Sequence, residues 1–328
     1  MRRLPVWFLL SLSLSCGAAA VIACSSESTK PSNDLDAIDD DGGGTKKKDS
    51  GTSSSGGSSG GSSGDPGDLD GAASNGRVYA HTATTLYLFE PVTKKLTEIG
   101  KFDCLDGDQM IDIALDRGGN MYGTAFNKFM SIDPTNAKCT VKGNTNGTDY
   151  YPNSLSFVPI GTLDPTKEVL VGYVQSFVGQ KSYIDTYVRI DTATGAKTII
   201  GQEGDLNPPA GTGGKYYDVA GDMISLSNDQ NRAYVILRDD QYSDAGAAST
   251  TNYLAEVDPK TGTIKKVIGP TNQLKTFGFA YWAGKGYGFS EDGRITEINM
   301  ATGSSTTVLT LDGGAWYGAG VTTDSPTQ

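Results

Sequence analysis

The chain has 328 residues, with 27 Lys and Arg against 38 Asp and Glu, a single His and a formal net charge of −11. An acid excess with no basic stripe excludes nucleic acid and an anionic lipid surface as charge-driven partners. One histidine excludes His-rich metal chemistry, and a Ser-His-Asp triad would have to be built around His81 alone.

Residues 1–23 read as a secretion leader. Arg2 and Arg3 form its charged start, and Val6 to Leu14 is an apolar core too short to span a bilayer. Val21-Ile22-Ala23-Cys24 then resembles the lipobox of bacterial lipoproteins, in which the cysteine becomes the acylated first residue. Cys16 fits less well, because the apolar run before it is short. The resemblance implies that acylated Cys24 holds the protein on a lipid membrane of the bacterial cell envelope, facing the periplasm or the surface. Ser25, where an Asp would signal inner-membrane retention, favours the outer membrane.

Residues 24–75 are of low complexity, with Gly42 to Gly44, Lys46 to Lys48 and a Gly/Ser run from Gly51 to Gly64. Such a segment has almost nothing apolar to bury and is expected to be a disordered tether, with an end-to-end distance of roughly 40 Å. Asp36 to Asp41 suit calcium in charge, but no Glu stands where a helix-loop-helix site needs one, so a solvated acidic linker is expected.

Residues 76–328 are the folded domain. No segment sustains a helical period, whereas a short strand ending in an acid or amide recurs five times. The copies are Leu86–Glu90, Phe129–Asp133, Tyr187–Asp191, Leu254–Asp258 and Ile295–Asn299. A unit of this size cannot bury its apolar face alone, so a ring or array of units is required. Each unit parses as four strands. In the second they are Met110–Asp116, Asn120–Ala125, Phe129–Asp133 and Cys139–Lys142. The fourth unit is read as starting with an inner strand over Asp222–Ser227. The first unit lacks its inner strand, and Tyr317–Thr323 at the other end of the chain supplies it, closing the ring and removing free sheet edges. The expected fold is an all-β propeller of five four-stranded blades, with room for a sixth only between blades 3 and 4. The recurring acids are expected to organise turns, helped by Gly195, Gly262 and Gly303, rather than to form a catalytic ring.

Residues 77 to 324 resemble the lactonase-like and quinoprotein-like repeat propellers; the signatures of WD40 and kelch repeats are absent. The first two blades also look like a secreted bacterial subtype through Cys104, Asp112-Ile-Ala, Tyr122-Gly123, Ile132-Asp-Pro134 and Cys139. Propellers of this kind host many functions, so the resemblance implies a fold and no reaction.

With Cys16 and Cys24 in the leader region, Cys104 and Cys139 are the remaining pair, and an oxidising compartment makes them a disulfide. A closed loop of this length is worth roughly 3–4 kcal/mol in the chain-entropy model.

The long loops all fall on one face, that of the blade-to-blade connections and the second-to-third strand loops. They are rich in Asp and Tyr. Asp106 and Asp108 stand before blade 2, and Asp149, Tyr150 and Tyr151 before blade 3. Tyr216, Tyr217 and Asp218 precede blade 4, and Asp239, Asp240 and Tyr242 stand within it. Carboxylates among aromatic planes suit sugar hydroxyls, calcium or a basic protein surface. The expected function is a ligand-binding or protein-interaction scaffold that uses this face, with no cofactor other than calcium and with a glycan or an envelope protein as partner. One alternative is a glycan-active hydrolase using two of Asp112, Asp116, Asp218 and Asp222, set about 5–9.5 Å apart. Another is a metal-dependent lactonase-like enzyme with Asn153, Asp112 and Asp222 as ligands.

Overall fold

Twenty strands, none longer than ten residues, and no helix make up the described part of the chain. The computed structural model describes residues 77–327 apart from 148, 179–181, 205, 207–215 and 240–249. The leader, Cys24 and the linker therefore lie outside the described residues, as do Asp240 and Tyr242.

The strands form five antiparallel four-stranded sheets. Blade 1 contains β1 (Val78–His81), β2 (Thr85–Glu90) and β3 (Lys95–Lys101). Blade 2 is β4 (Asp112–Leu115), β5 (Met121–Thr124), β6 (Lys128–Ile132) and β7 (Cys139–Asn144). Blade 3 is β8 (Leu155–Val158), β9 (Val169–Val178), β10 (Ser182–Ile190) and β11 (Lys197–Gly204). Blade 4 is β12 (Tyr217–Leu226), β13 (Arg232–Asp239), β14 (Asn252–Val257) and β15 (Ile264–Pro270). Blade 5 is β16 (Thr276–Trp282), β17 (Lys285–Ser290), β18 (Arg294–Asn299) and β19 (Ser305–Thr310). The last strand, β20 (Gly318–Gly320), pairs antiparallel with β1 and completes blade 1. The inner strands β4, β8, β12, β16 and β20 neighbour one another in a closed ring, which makes the architecture a five-bladed β-propeller.

Burial falls outward along each blade. All of β4 and β8 is buried, whereas the outer strands β3 and β7 are largely exposed. No single core serves the domain. Five apolar clusters each fill one interface between adjacent blades: Tyr173, Tyr187 and Val235 between blades 3 and 4, for example, and Phe89, Phe289 and Trp316 between blades 5 and 1. Buried hydroxyls in these clusters are bonded, as burial requires. Tyr173 and Tyr187 donate to the carbonyls of Gly262 and Pro259 at 2.6 and 2.9 Å, fastening blade 3 to a turn of blade 4.

The repeated acids act at turns. Asp133, Asp191 and Asp258, like Asn299, accept backbone N–H bonds from the residues just after them. Four positions on from each acid or amide, φ is positive: Lys94 at 57°, Ala137 at 62°, Gly195 at 73°, Gly262 at 72° and Gly303 at 81°. Three of the five are glycine, the residue that takes this conformation without strain. The disulfide joins Cys104, in the segment entering blade 2, to Cys139 at the start of β7.

The fourth inner strand differs from its sequence reading. β12 starts at Tyr217 rather than Asp222, because the register against β13 shifts between Val219 and Met223. This bulge breaks the alternation by which a strand is recognised, and it turns Asp222 toward the axis. Tyr217 and Asp239, expected in exposed loops, are opposite each other in this ladder and buried.

Candidate functional site

Two carboxylates tie the inner ring together. Asp112 on β4 accepts the N–H of Leu155 on β8 at 2.5 Å and that of Ile113 at 2.6 Å. Asp222 on β12 accepts the N–H of Phe279 on β16 at 2.9 Å and of Ala319 on β20 at 2.7 Å. Two side chains thus connect all five inner strands. Both are fully buried. Burial raises both well above the usual carboxylate range, and the neighbouring Asp112 raises Asp222 further. Asp116, another of the inner-strand candidates, sits past β4 and accepts hydrogen bonds from the backbone and side chain of Asn120.

His81 stands beside this pair. Its Nε2 and Asp112 Oδ1 both lie within 3 Å of the point a Cβ on Gly318 would occupy, so the glycine makes room for them. Nδ1 donates to the Thr82 carbonyl at 2.9 Å, and burial lowers the ring to about 4, which leaves it neutral.

A cavity of about 400 Å³ opens at the starts of the inner strands. Its walls are of three kinds. Phe126, Tyr150, Tyr151, Phe277 and Tyr317 give aromatic surface. Gln109, Asn153 and Gln175 give amides, and Arg238 is the one charged lining residue among those described. The aromatic rings pair: Phe126 meets Tyr150 edge-on at 5.7 Å, and Phe277 meets Tyr317 at 6.3 Å. Lys197 fixes the loop that carries Tyr150 by donating to Asp149 Oδ1 and the Tyr150 carbonyl, each at 2.5 Å, with its ammonium over the Tyr151 ring.

The amides form a relay. Asn153 Nδ2 donates to Gln175 Oε1 at 3.5 Å, and Gln175 Nε2 donates to Asp185 Oδ1 at 3.3 Å and the Val219 carbonyl at 3.1 Å. Asp185 also accepts the Val219 N–H at 3.0 Å. Asn153 Oδ1 has no partner among the described residues. Burial, with a smaller contribution from Asp218, raises Asp185 to about 8. Behind the wall, Arg238 Nε lies 3.5 Å from Asp218 Oδ2, and Asp218 is almost wholly buried.

The residues expected on an acidic loop face divide three ways. Tyr150 and Tyr151 line the cavity. Asp106 and Asp149 pair with Lys128 and Lys197, and Asp108 accepts the Gln109 N–H at 2.8 Å. Tyr217, Asp218 and Asp239 are buried within blade 4, while Tyr216 stays about half exposed. Among the described residues no cluster of three or more His, Cys, Asp and Glu side chains could hold a metal ion. Sequence reasoning missed Gln175, Arg238, Phe277, Tyr317 and Asp185. Gln175, Asp185 and Arg238 lie within strands, Phe277 and Tyr317 near the starts of β16 and β20, and only the strand order brings them together.

The opposite end of the channel is covered. After β20 the chain runs across the finishing ends of the inner strands, with Thr322, Thr323 and Ser325 buried. The Ser227 and Ala283 N–H groups donate to the carbonyls of Thr323 and Pro326 at 2.8 and 2.7 Å. Thr323 also donates to Glu168, and Arg117 lies 3.5 Å from Asp324. This strap touches blades 2, 3, 4 and 5 and, among the described residues, covers the end of the ring away from the cavity.

No family model matches the sequence, and no curated protein matches it. Among solved structures, the chain is similar to a protein of unknown function from Bacteroides caccae. The match is 8% identical, covers 74% of this chain and 97% of that one, and has a TM-score of 0.37.

Proposed function

We propose that this chain is a ligand-binding propeller anchored in the bacterial cell envelope through acylated Cys24 and presented on a Gly/Ser-rich linker. The observation that carries the reading is the axial cavity, lined by aromatic rings, a fixed amide relay and a compensated ion pair. Concave sites of about 300–1,000 Å³ with apolar walls and a few convergent polar groups are where small ligands bind. The axial carboxylates Asp112 and Asp222 are engaged with backbone N–H groups, which favours binding over catalysis at the axis. The test is a thermal-shift screen of a small-metabolite library against the full chain in detergent, with and without calcium. A ligand that raises the melting temperature of the parent and leaves a Tyr317→Ala variant unshifted supports the reading. A library that shifts neither protein overturns it. Labelling with radioactive palmitate, lost in Cys24→Ser, tests the anchor.

A further inference from the structure

The chemistry of the cavity wall narrows the ligand class, an argument that rests on the cavity being the ligand site. Three features decide it. The first is aromatic surface on opposite sides of the ring: Phe126 and Tyr150 come from the blade 2 to blade 3 region, Phe277 and Tyr317 from blades 5 and 1. A ligand between them needs flat or C–H-rich faces. The second is the amide set of Gln109, Asn153 and Gln175. Each amide offers both a donor and an acceptor, the combination that hydroxyl groups match and that an apolar ligand would leave unmet. Asn153 Oδ1, without a protein partner among the described residues, is one acceptor still to be satisfied.

The third feature is charge. Arg238 is the only charged side chain among the described lining residues, and its guanidinium lies against Asp218. An anionic ligand would compete with that carboxylate in a chain of net charge −11, and a cationic one would meet Arg238. Charged ligands of either sign are disfavoured.

We propose that the axial cavity binds a neutral mono- or disaccharide, its ring faces against the Phe126–Tyr150 and Phe277–Tyr317 pairs and its hydroxyls on Asn153, Gln175 and Gln109. The volume of about 400 Å³, near the lower end of the range for ligand sites, limits the occupant to one or two rings. The strap prevents a longer chain from threading the axis, so a polysaccharide would enter by an end.

The experiment is titration calorimetry on the full chain in detergent. The neutral probes are glucose, galactose, N-acetylglucosamine, maltose and cellobiose; glucuronate and glucosamine are the charged controls. At least one neutral sugar is expected to bind, with its charged counterpart roughly tenfold or more weaker. Phe126→Ala, a change at a half-exposed ring, and Asn153→Ala are each expected to weaken that sugar about tenfold, with unaltered thermal unfolding for Phe126→Ala. Equal or tighter binding of glucuronate or glucosamine overturns the neutral class. Sugar binding that neither variant weakens overturns the placement in the cavity. If every sugar is silent while the metabolite screen finds a ligand that Tyr317→Ala abolishes, the sugar class fails and the cavity stands. Silence in both experiments removes the two readings together.

Discussion

The two ends of the axial channel are built from the same five inner strands and treated in opposite ways. At the strap end the chain turns back over itself and satisfies the backbone of blades 4 and 5 with its own carbonyls. At the open end aromatic rings and amides are held in place, and Asn153 Oδ1 has no partner among the described residues. The difference teaches that one end of this ring is committed to stability while the other carries the proposed ligand site, with Asp112 and Asp222 between them. Substitutions at the strap and the pair should therefore cost folding free energy, and substitutions at the open end should cost binding.

The sharpest way to break that division is Asp222→Ala. It leaves the buried N–H groups of Phe279 and Ala319 without acceptors, at about 1–3 kcal/mol each. Urea unfolding is expected to show a loss of about 2–6 kcal/mol. A loss below about 1 kcal/mol would mean that the inner ring does not depend on the pair. Removing residues 322–328 should come next. The lost strap bonds are expected to lower stability by about 2–4 kcal/mol in urea unfolding while ligand binding at the open end is retained.

A pH titration sharpens the comparison further. Asp185 has its folded value raised by burial to about 8, against an ordinary value near 4. Its contribution is fully present below about pH 4 and is lost as pH rises through about 8. Asp185→Asn should abolish that part of the alkaline decline, read as the difference in urea midpoint between parent and variant at about pH 6 and about pH 9. An unchanged decline would show that another group drives it. The smallest effect on stability is expected at the open end. Phe126→Ala should change unfolding free energy by no more than about 0.5 kcal/mol, while binding falls.

The architecture was legible in the sequence because each blade repeats a turn with a chemical cause. Asp191 followed four residues later by Gly195, and Asp258 by Gly262, mark the third-to-fourth strand hairpins wherever they occur. The closure by β20 was legible for a similar reason: a first unit without an inner strand needs one from elsewhere. The candidate site was only partly legible. Loop length pointed to the face that bears Tyr150 and Tyr151, and the described acids counted there have partners the sequence does not show. Asp106 and Asp149 sit beside lysines that lie far away in sequence, Asp218 is in β12, whose start the bulge at Val219–Met223 conceals, and Asp239 ends β13 opposite Tyr217. Gln175 and Arg238 look like ordinary strand residues until the ring order sets them at one axis.

The pairing of β20 with β1 also sets a schedule for the newborn chain. Among the described strands, β1 is made first and waits for a partner that is made last. Until β20 is made, the edge of β1 that pairs with it is bare, and Asp222 lacks the N–H of Ala319. Local hairpins within blades can form early, but the closed ring forms only after the final strand has emerged. Until then the exposed edge of β1 is the place where a holding chaperone or a second unfinished chain would attach.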